Sequence, residues 1–133
     1  MDMLAAPYLW LVYSLILFYV MIGWQVLQGM RAHGIASAFG PRDGWNDAEH
    51  VAAGRANRAV RNMAEALILF APLVIISVQS GAATQLTTTA AMLFFVSRLL
   101  YAPTYWLGVP YLRTLFWFGG VIAIFMVVFE VLL

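Results

Sequence analysis

Polar side chains at helical spacing mark the part of this sequence that could do chemistry. A first group falls within one arc of about 120° on a helix, at 100° per residue: Arg55, Arg58, Arg61, Asn62 and Glu65. Two further groups repeat every three, four or seven residues: Arg98, Tyr101 and Tyr105, and then Arg113 and Trp117. Arginine side chains bind carboxylates through paired hydrogen bonds. These residue types therefore suit an acidic ligand.

The rest of the sequence predicts a membrane protein that would position these groups. Of its 133 residues, 64% are hydrophobic and 10% are charged, and the mean hydropathy is +0.87, which is unusual for a soluble domain. We expect an all-α, integral membrane four-helix bundle that uses residues 1–133 as a single domain. The predicted spans are 7–30, 53–80, 83–106 and 110–131. Asn46 or Asp47 is expected to cap the second helix.

The arginines indicate which side of the membrane each connection faces. All seven cationic residues are arginine, and five of them lie between Arg31 and Arg61. Because positively charged loops tend to stay in the cytoplasm, we expect this region and the connection between Pro103 and Pro110 to be cytoplasmic. Both termini then lie on the other side. We expect the membrane to be a bacterial inner membrane.

A residue count places several polar side chains inside the membrane. Only 32 uncharged residues separate Glu65 from Arg98, whereas two spans need roughly 40. The polar residues at both ends of this stretch must therefore lie in the cytoplasmic half of the bilayer. Charged side chains at such a depth usually face the interior of a bundle or a wet cavity. We therefore expect the three polar groups to converge.

The same residue types also allow simpler roles. Arginine and tyrosine at a membrane surface often only contact lipid headgroups. We interpret four residues in this way: Arg42, Arg55, Tyr8 and Tyr111. An internal salt bridge from Glu65 to Arg58 or Arg61 is a further alternative.

Two stretches of the sequence resemble a known family. Residues 58–72, RAVRNMAEALILFAP, resemble the second-helix signature of the MAPEG proteins, the membrane-associated proteins in eicosanoid and glutathione metabolism. In that signature, arginine is followed by asparagine, then after three positions by glutamate, and then by an apolar run with proline. Residues 97–117, SRLLYAPTYWLGVPYLRTLFW, resemble the third and fourth helices of the family. With the four spans, the resemblance covers nearly the whole chain.

The resemblance implies a homotrimer that binds glutathione at its subunit interfaces, near the cytoplasmic face. The glutathione-binding residues that it implies are Arg31, Arg61, Asn62, Glu65 and Arg98, and we add Arg58 because it lies on the same helix face as Arg61 and Glu65. Arg31 would contact glutathione in the neighbouring subunit. The catalytic residues would be Arg113, beside the thiol, with Tyr105 and Tyr101 as assisting donors. Tyr101 and Trp117 stand where the prostaglandin E synthase branch has histidine and tyrosine, which argues against prostaglandin synthesis.

We therefore expect a glutathione-dependent transferase or peroxidase, in which the thiolate attacks an apolar electrophile that arrives from the bilayer. The alternative is a non-enzymatic membrane protein that uses the same pocket for an acidic metabolite or a lipid headgroup. A small transporter that uses Glu65 as a proton-coupling carboxylate ranks last. We assign no metal, because the sequence has no cysteine and its two histidines, His33 and His50, lie near the first loop. We also expect no nucleic-acid partner.

Overall fold

The computed structural model describes residues 5–46 and 48–133. Within these residues the chain forms four α-helices and no strand: α1 (Ala5–His33), α2 (Val51–Gln79), α3 (Gln85–Leu107) and α4 (Pro110–Leu132). A short 3-10 turn, Ala36–Phe39, follows α1. All four helices are long and apolar enough to cross a membrane. The expected bundle is confirmed, and every predicted span boundary lies within three residues of an observed helix end.

Local signals explain where α3 and α4 begin and end. The Thr84 side chain caps α3 by accepting a hydrogen bond from the Leu86 backbone N–H at 3.1 Å. Gly108, with a φ of +75°, ends α3 in the left-handed conformation that glycine adopts without strain. Pro110 then occupies the start of α4. Only Gly108 and Val109 separate the two helices, so α3 and α4 pack as antiparallel neighbours.

The predicted cap of α2 is wrong. His50 occupies the N-cap position, and its side chain makes no capping hydrogen bond. Asn46 instead forms a local turn, because its side-chain oxygen accepts from the Ala48 N–H at 3.1 Å and its amide donates to Glu49. The Asn46 side chain makes its hydrogen bonds within this turn and therefore does not cap α2. Asp47 lies outside the described residues.

The centre of the bundle is a tightly packed apolar core. Phe70 of α2 and Phe94 of α3 are fully buried and stack face to face, with ring centroids 4.1 Å apart. Met21 of α1 and Val127 of α4 are buried in the same core. Because lipid tails are as apolar as these side chains, close van der Waals packing holds such helices together in a bilayer.

Glu130 fastens α4 to the connection between α2 and α3. Its carboxylate accepts the Thr84 backbone N–H at 2.9 Å and also the hydroxyl groups of Thr84 and Thr87. Thr87 lies 2.9 Å from the hydroxyl of Ser77 on α2. This polar cluster fixes the relative heights of α2, α3 and α4 at one end of the bundle.

Two glycines let α4 approach α3 closely at the level of Arg98. A Cβ atom at Gly120 would lie 2.8 Å from Arg98 Nε and closer still to Nη2. A Cβ atom at Gly119 would collide with Ser97. Arg98 itself is only 1% exposed. Because Gly120 has no side chain, α4 leaves the space that the Arg98 guanidinium occupies.

We predict that Gly120→Ala destabilises the protein. The added methyl group must displace the buried guanidinium, and overpacking of this kind costs about 1–3 kcal/mol. That cost exceeds the roughly 1 kcal/mol that alanine gains over glycine in a helix. Thermal unfolding of the detergent-solubilised protein, followed by circular dichroism, measures the effect. Gly23→Ala is the matched control, because nothing lies within 4 Å of a Cβ atom there. An unfolding midpoint for Gly120→Ala at or above that of Gly23→Ala would contradict the prediction.

Candidate functional site

A cleft opens where α2, α3 and α4 approach one another, near the connection between α3 and α4. Its volume is about 270 Å³, and six side chains line it: Asn62, Tyr101, Tyr105, Arg113, Thr114 and Trp117. The first comes from α2, the two tyrosines from α3 and the others from α4. Five of the six belong to the polar groups that the sequence analysis expected to converge. Residues of all three groups therefore meet here, but Asn62 is the only member of the α2 group that lines the cleft, and Arg98 does not line it.

Arg98 lies behind the cleft and holds Asn62. Its Nη1 donates a hydrogen bond of 2.7 Å to Asn62 Oδ1. Its guanidinium carbon lies 5.4 Å from the ring centroids of both Phe94 and Tyr101, within the range of cation–π attraction. Because Arg98 is 1% exposed, its contribution to the cleft is to orient Asn62 and Tyr101.

Tyr105 lies between two arginines. Arg58 Nε donates to the Tyr105 hydroxyl oxygen at 3.2 Å, and the Arg113 guanidinium carbon lies 4.9 Å from the ring centroid. Since the hydroxyl oxygen already accepts from Arg58, its own proton is free to be donated toward a bound ligand. Tyr105 can thus act as a donor within a strongly cationic environment.

Tyr101 and Glu65 complete the charge pattern of the cleft. The Tyr101 ring is 3% exposed and lies 5.4 Å from the Tyr105 ring. Glu65 is exposed on α2, three residues after Asn62 and so on a neighbouring part of the same helix face. Among the described residues, none forms an ion pair or a hydrogen bond with Glu65. The internal salt bridge to Arg58 or Arg61 is therefore absent from this part of the chain.

Arg61 points away from this cleft. It lines a second pocket of about 340 Å³ between α1, α2 and the first loop, together with Gln25, Val26, Arg42, Trp45, Asn57 and Val60. Consecutive residues on a helix differ by 100°, so Arg61 and Asn62 open toward different sides of α2. Arg31 is exposed in the last turn of α1. Within a single chain, neither Arg31 nor Arg61 lines the cleft.

Arg55 is not the simple lipid anchor that we expected. Its Nη1 donates to the Trp106 carbonyl oxygen at 3.3 Å, and its guanidinium lies against Gly108, where a Cβ atom would collide with it. Arginine near a helix C-terminus satisfies carbonyl groups that have no partner within the helix. Arg55 therefore closes the end of α3 and fixes the connection beside the cleft. Tyr111, by contrast, is 88% exposed, as an anchor should be.

The sequence analysis missed Thr114 and the two glycines of α4. Thr114 lines the cleft, and its hydroxyl donates to the Pro110 carbonyl oxygen at 3.1 Å. Thr114 directly follows Arg113 in the sequence, and this position was the signal that could have identified it. The pair Gly119–Gly120 is also visible in the sequence, but its importance depends on which arginine lies opposite, and only the packing of α3 on α4 reveals that.

The arrangement suits an anionic ligand that carries one positive group. Arg58 and Arg113 flank the cleft, and Arg98 adds a third positive charge behind it. Glu65 supplies one carboxylate that has no described partner. The cleft volume lies just below the approximately 300 Å³ at which ligand pockets begin, so one chain provides an open, shallow part of a binding site.

Comparison with known proteins agrees with this picture. Residues 5–133 match the model of the MAPEG family, and the match includes every residue that lines the cleft. Searches of curated proteins and of solved structures each gave no match. Because the family match covers essentially the whole chain and all four helices can span a membrane, this protein is an integral membrane protein that belongs to the MAPEG family, whose members act in eicosanoid and glutathione metabolism.

Proposed function

We propose that this protein is a glutathione-dependent membrane transferase or peroxidase. It ionises the thiol of glutathione in the cleft and directs the thiolate toward an apolar electrophile dissolved in the bilayer. The observation that carries the proposal is the position of Tyr105, with Arg58 at its hydroxyl group and Arg113 over its ring. This is a donor between two cations, and it lines the cleft; the acid Glu65 lies outside the lining, exposed on α2 one turn from Asn62.

The charges of glutathione match those of the cleft. The tripeptide carries two carboxylates, one ammonium group and a thiol. Guanidinium groups bind carboxylates with two parallel hydrogen bonds, which suits Arg58 at the rim. Glu65, which has no described partner, would accept the ammonium group. Asn62, held at 2.7 Å by Arg98, would present its amide to the peptide backbone of the ligand.

Arg113 is the residue that we assign to the thiol. A free thiol has a pKa of about 8.5, so only a few per cent is ionised at neutral pH. A neighbouring guanidinium stabilises the thiolate and lowers the pKa of the thiol. The hydroxyl groups of Tyr105 and Tyr101 would assist by donating hydrogen bonds to the sulfur. No metal is needed for this chemistry, since a thiolate is itself the nucleophile.

The electrophile would reach the thiolate from the lipid side of α4. Trp117 lies in the cleft and is 38% exposed, and it contacts Phe118, which is 51% exposed. These rings form an apolar edge between the cleft and the bilayer. An apolar co-substrate concentrated in the bilayer would therefore meet the sulfur without crossing water.

We further propose that the working unit is a homotrimer. Arg31 and Arg61 lie outside the cleft of their own chain, yet both belong to the glutathione-binding set that the family resemblance implies. In a trimer, a neighbouring copy of the chain would place these two arginines at the cleft and complete the binding site. Native mass spectrometry of the detergent complex should then give the mass of three chains, whereas a monomer that binds glutathione would contradict the proposed assembly.

We predict that Glu65→Gln weakens glutathione binding roughly ten- to a hundredfold. The variant loses a hydrogen-bonded contact with an ammonium group, and such contacts contribute about 1.5–3 kcal/mol. Isothermal titration calorimetry in detergent measures the change. Asp43→Asn is the control, because Asp43 is an exposed acid in the first loop, away from the cleft.

A glutathione analogue without its amino group sharpens this test. It should bind the native protein and the Glu65→Gln variant with equal affinity, because the group that Glu65 recognises is missing. If Glu65→Gln weakens both ligands equally, Glu65 does not bind the ammonium group.

We predict that Arg113→Leu raises the pKa of the bound thiol by about one unit, so that at a pH below this pKa the ionised fraction of glutathione falls about tenfold. The ultraviolet absorbance of the thiolate measures that fraction on saturation with glutathione. Tyr111→Phe is the control on the same helix, because Tyr111 is 88% exposed. If the native protein binds glutathione without any thiolate signal, the proposed enzyme is wrong, and the cleft is a binding site without thiol activation.

A further inference from the structure

The turn that follows α1 carries its apolar side chains on the outside. Ile35 is 69% exposed and Phe39 is 88% exposed. The polar residue between them, Ser37, is turned back, and its hydroxyl donates to the Gly34 carbonyl oxygen at 2.7 Å. A loop in water is expected to show the opposite pattern, with polar side chains outside. We refer to residues 35–39 as the apolar turn.

The apolar turn is held close to the end of a membrane span. It begins two residues after α1 ends at His33. Trp45, further along the same loop, packs on α1 so tightly that a Cβ atom at Gly29 would lie 2.7 Å from its ring. The His33 ring stacks on Trp45, with centroids 4.6 Å apart. The loop therefore folds back against the last turns of α1.

The charged residue nearest to the apolar turn on each side is an arginine, Arg31 or Arg42, and the first acid after the turn is Asp43. The sequence has no acidic residue between Arg31 and Arg42. Arg42 follows the turn directly, and its position is fixed, since Nη2 donates to the Ala38 carbonyl oxygen at 3.1 Å and the guanidinium lies 4.8 Å from the Trp45 ring centroid. Its exposed side chain can reach lipid phosphates, which attract cations near the surface.

We propose that the apolar turn is a membrane anchor. Ile35 and Phe39 insert among the lipids of the leaflet at this end of the bundle, and Arg42 contacts lipid phosphates. Apolar side chains next to basic residues bind a membrane surface in this way. The anchor also fixes the wall of the pocket that contains Arg61, because Arg42 and Trp45 line that pocket too.

Site-directed spin labelling tests this proposal, and the absence of native cysteine allows a single label at each chosen position. The full-length variants Phe39→Cys and Ile35→Cys would be labelled with a nitroxide and placed in nanodiscs of mixed phosphatidylcholine and phosphatidylglycerol. Power saturation then compares collisions of the label with oxygen, which concentrates in lipid, and with a water-soluble nickel chelate. Circular dichroism checks that each variant is folded.

Two control positions calibrate the result. Ile16→Cys, on a 55% exposed side chain of α1, reports lipid. Ala48→Cys, on an exposed residue of the same loop, reports water and shows whether the nitroxide itself drives insertion. We expect labels at residues 35 and 39 to shift toward the ratio of oxygen to nickel collisions found at residue 16. A nickel-dominated ratio like that at residue 48 would overturn the proposal. Low collision rates with both reagents would also overturn it, since another protein surface, such as a second copy of the chain, would then cover the turn.

Discussion

A buried arginine that has no acidic partner among the described residues constrains the packing of this bundle. Arg98 is 1% exposed, and its guanidinium meets one amide oxygen and two aromatic ring faces. Its Nε has no hydrogen-bond partner among the described residues. A charge in a medium of low polarity is costly unless it is well partnered. The space for its guanidinium exists because Gly120 of α4 has no side chain, and Gly119 leaves room in the same way for Ser97.

This arginine links the packing of the helices to the properties of the cleft. It holds Asn62 of α2 in place, lies against Tyr101 of α3 and depends on a glycine of α4. At the other end of the same three helices, Glu130 binds Thr84 and Thr87 and fixes their relative heights. The cleft is thus a rigid arrangement with an excess of positive charge. Such preorganised charges stabilise an anion, or a thiolate, without further rearrangement.

Much of this architecture could be predicted from the sequence. Hydropathy and the placement of the arginines gave four spans whose ends agree with the helices within three residues. Only 32 uncharged residues separate Glu65 from Arg98 in the sequence, and this count indicated that polar groups from different helices meet. Helical spacing then identified Asn62, Tyr101, Tyr105 and Arg113 as neighbours in the cleft. These predictions succeed because periodicity and length are local properties of the chain.

The rest depended on contacts between helices, which spacing does not contain. A helical arc of about 120° is too wide to show that Arg61 and Asn62 open toward different sides. The role of Arg55 depends on the Trp106 carbonyl, which only the position of α3 brings within reach. The cap of α2 was predicted wrongly because the Asn46 side chain makes its hydrogen bonds within a local turn. The burial of Arg98 depends on Gly120, which lies on another helix.

The most direct test of the central claim is an experimental structure of the detergent-solubilised protein with glutathione bound. The central claim is that the cleft between α2, α3 and α4, supported by Arg98, holds glutathione with its sulfur at Arg113. We predict density for the tripeptide beside Tyr105, with the sulfur within about 4 Å of the Arg113 guanidinium and the ammonium group at Glu65. Glutathione bound at another surface, or Arg98 and Arg113 facing lipid on separate sides of the bundle, would contradict the account.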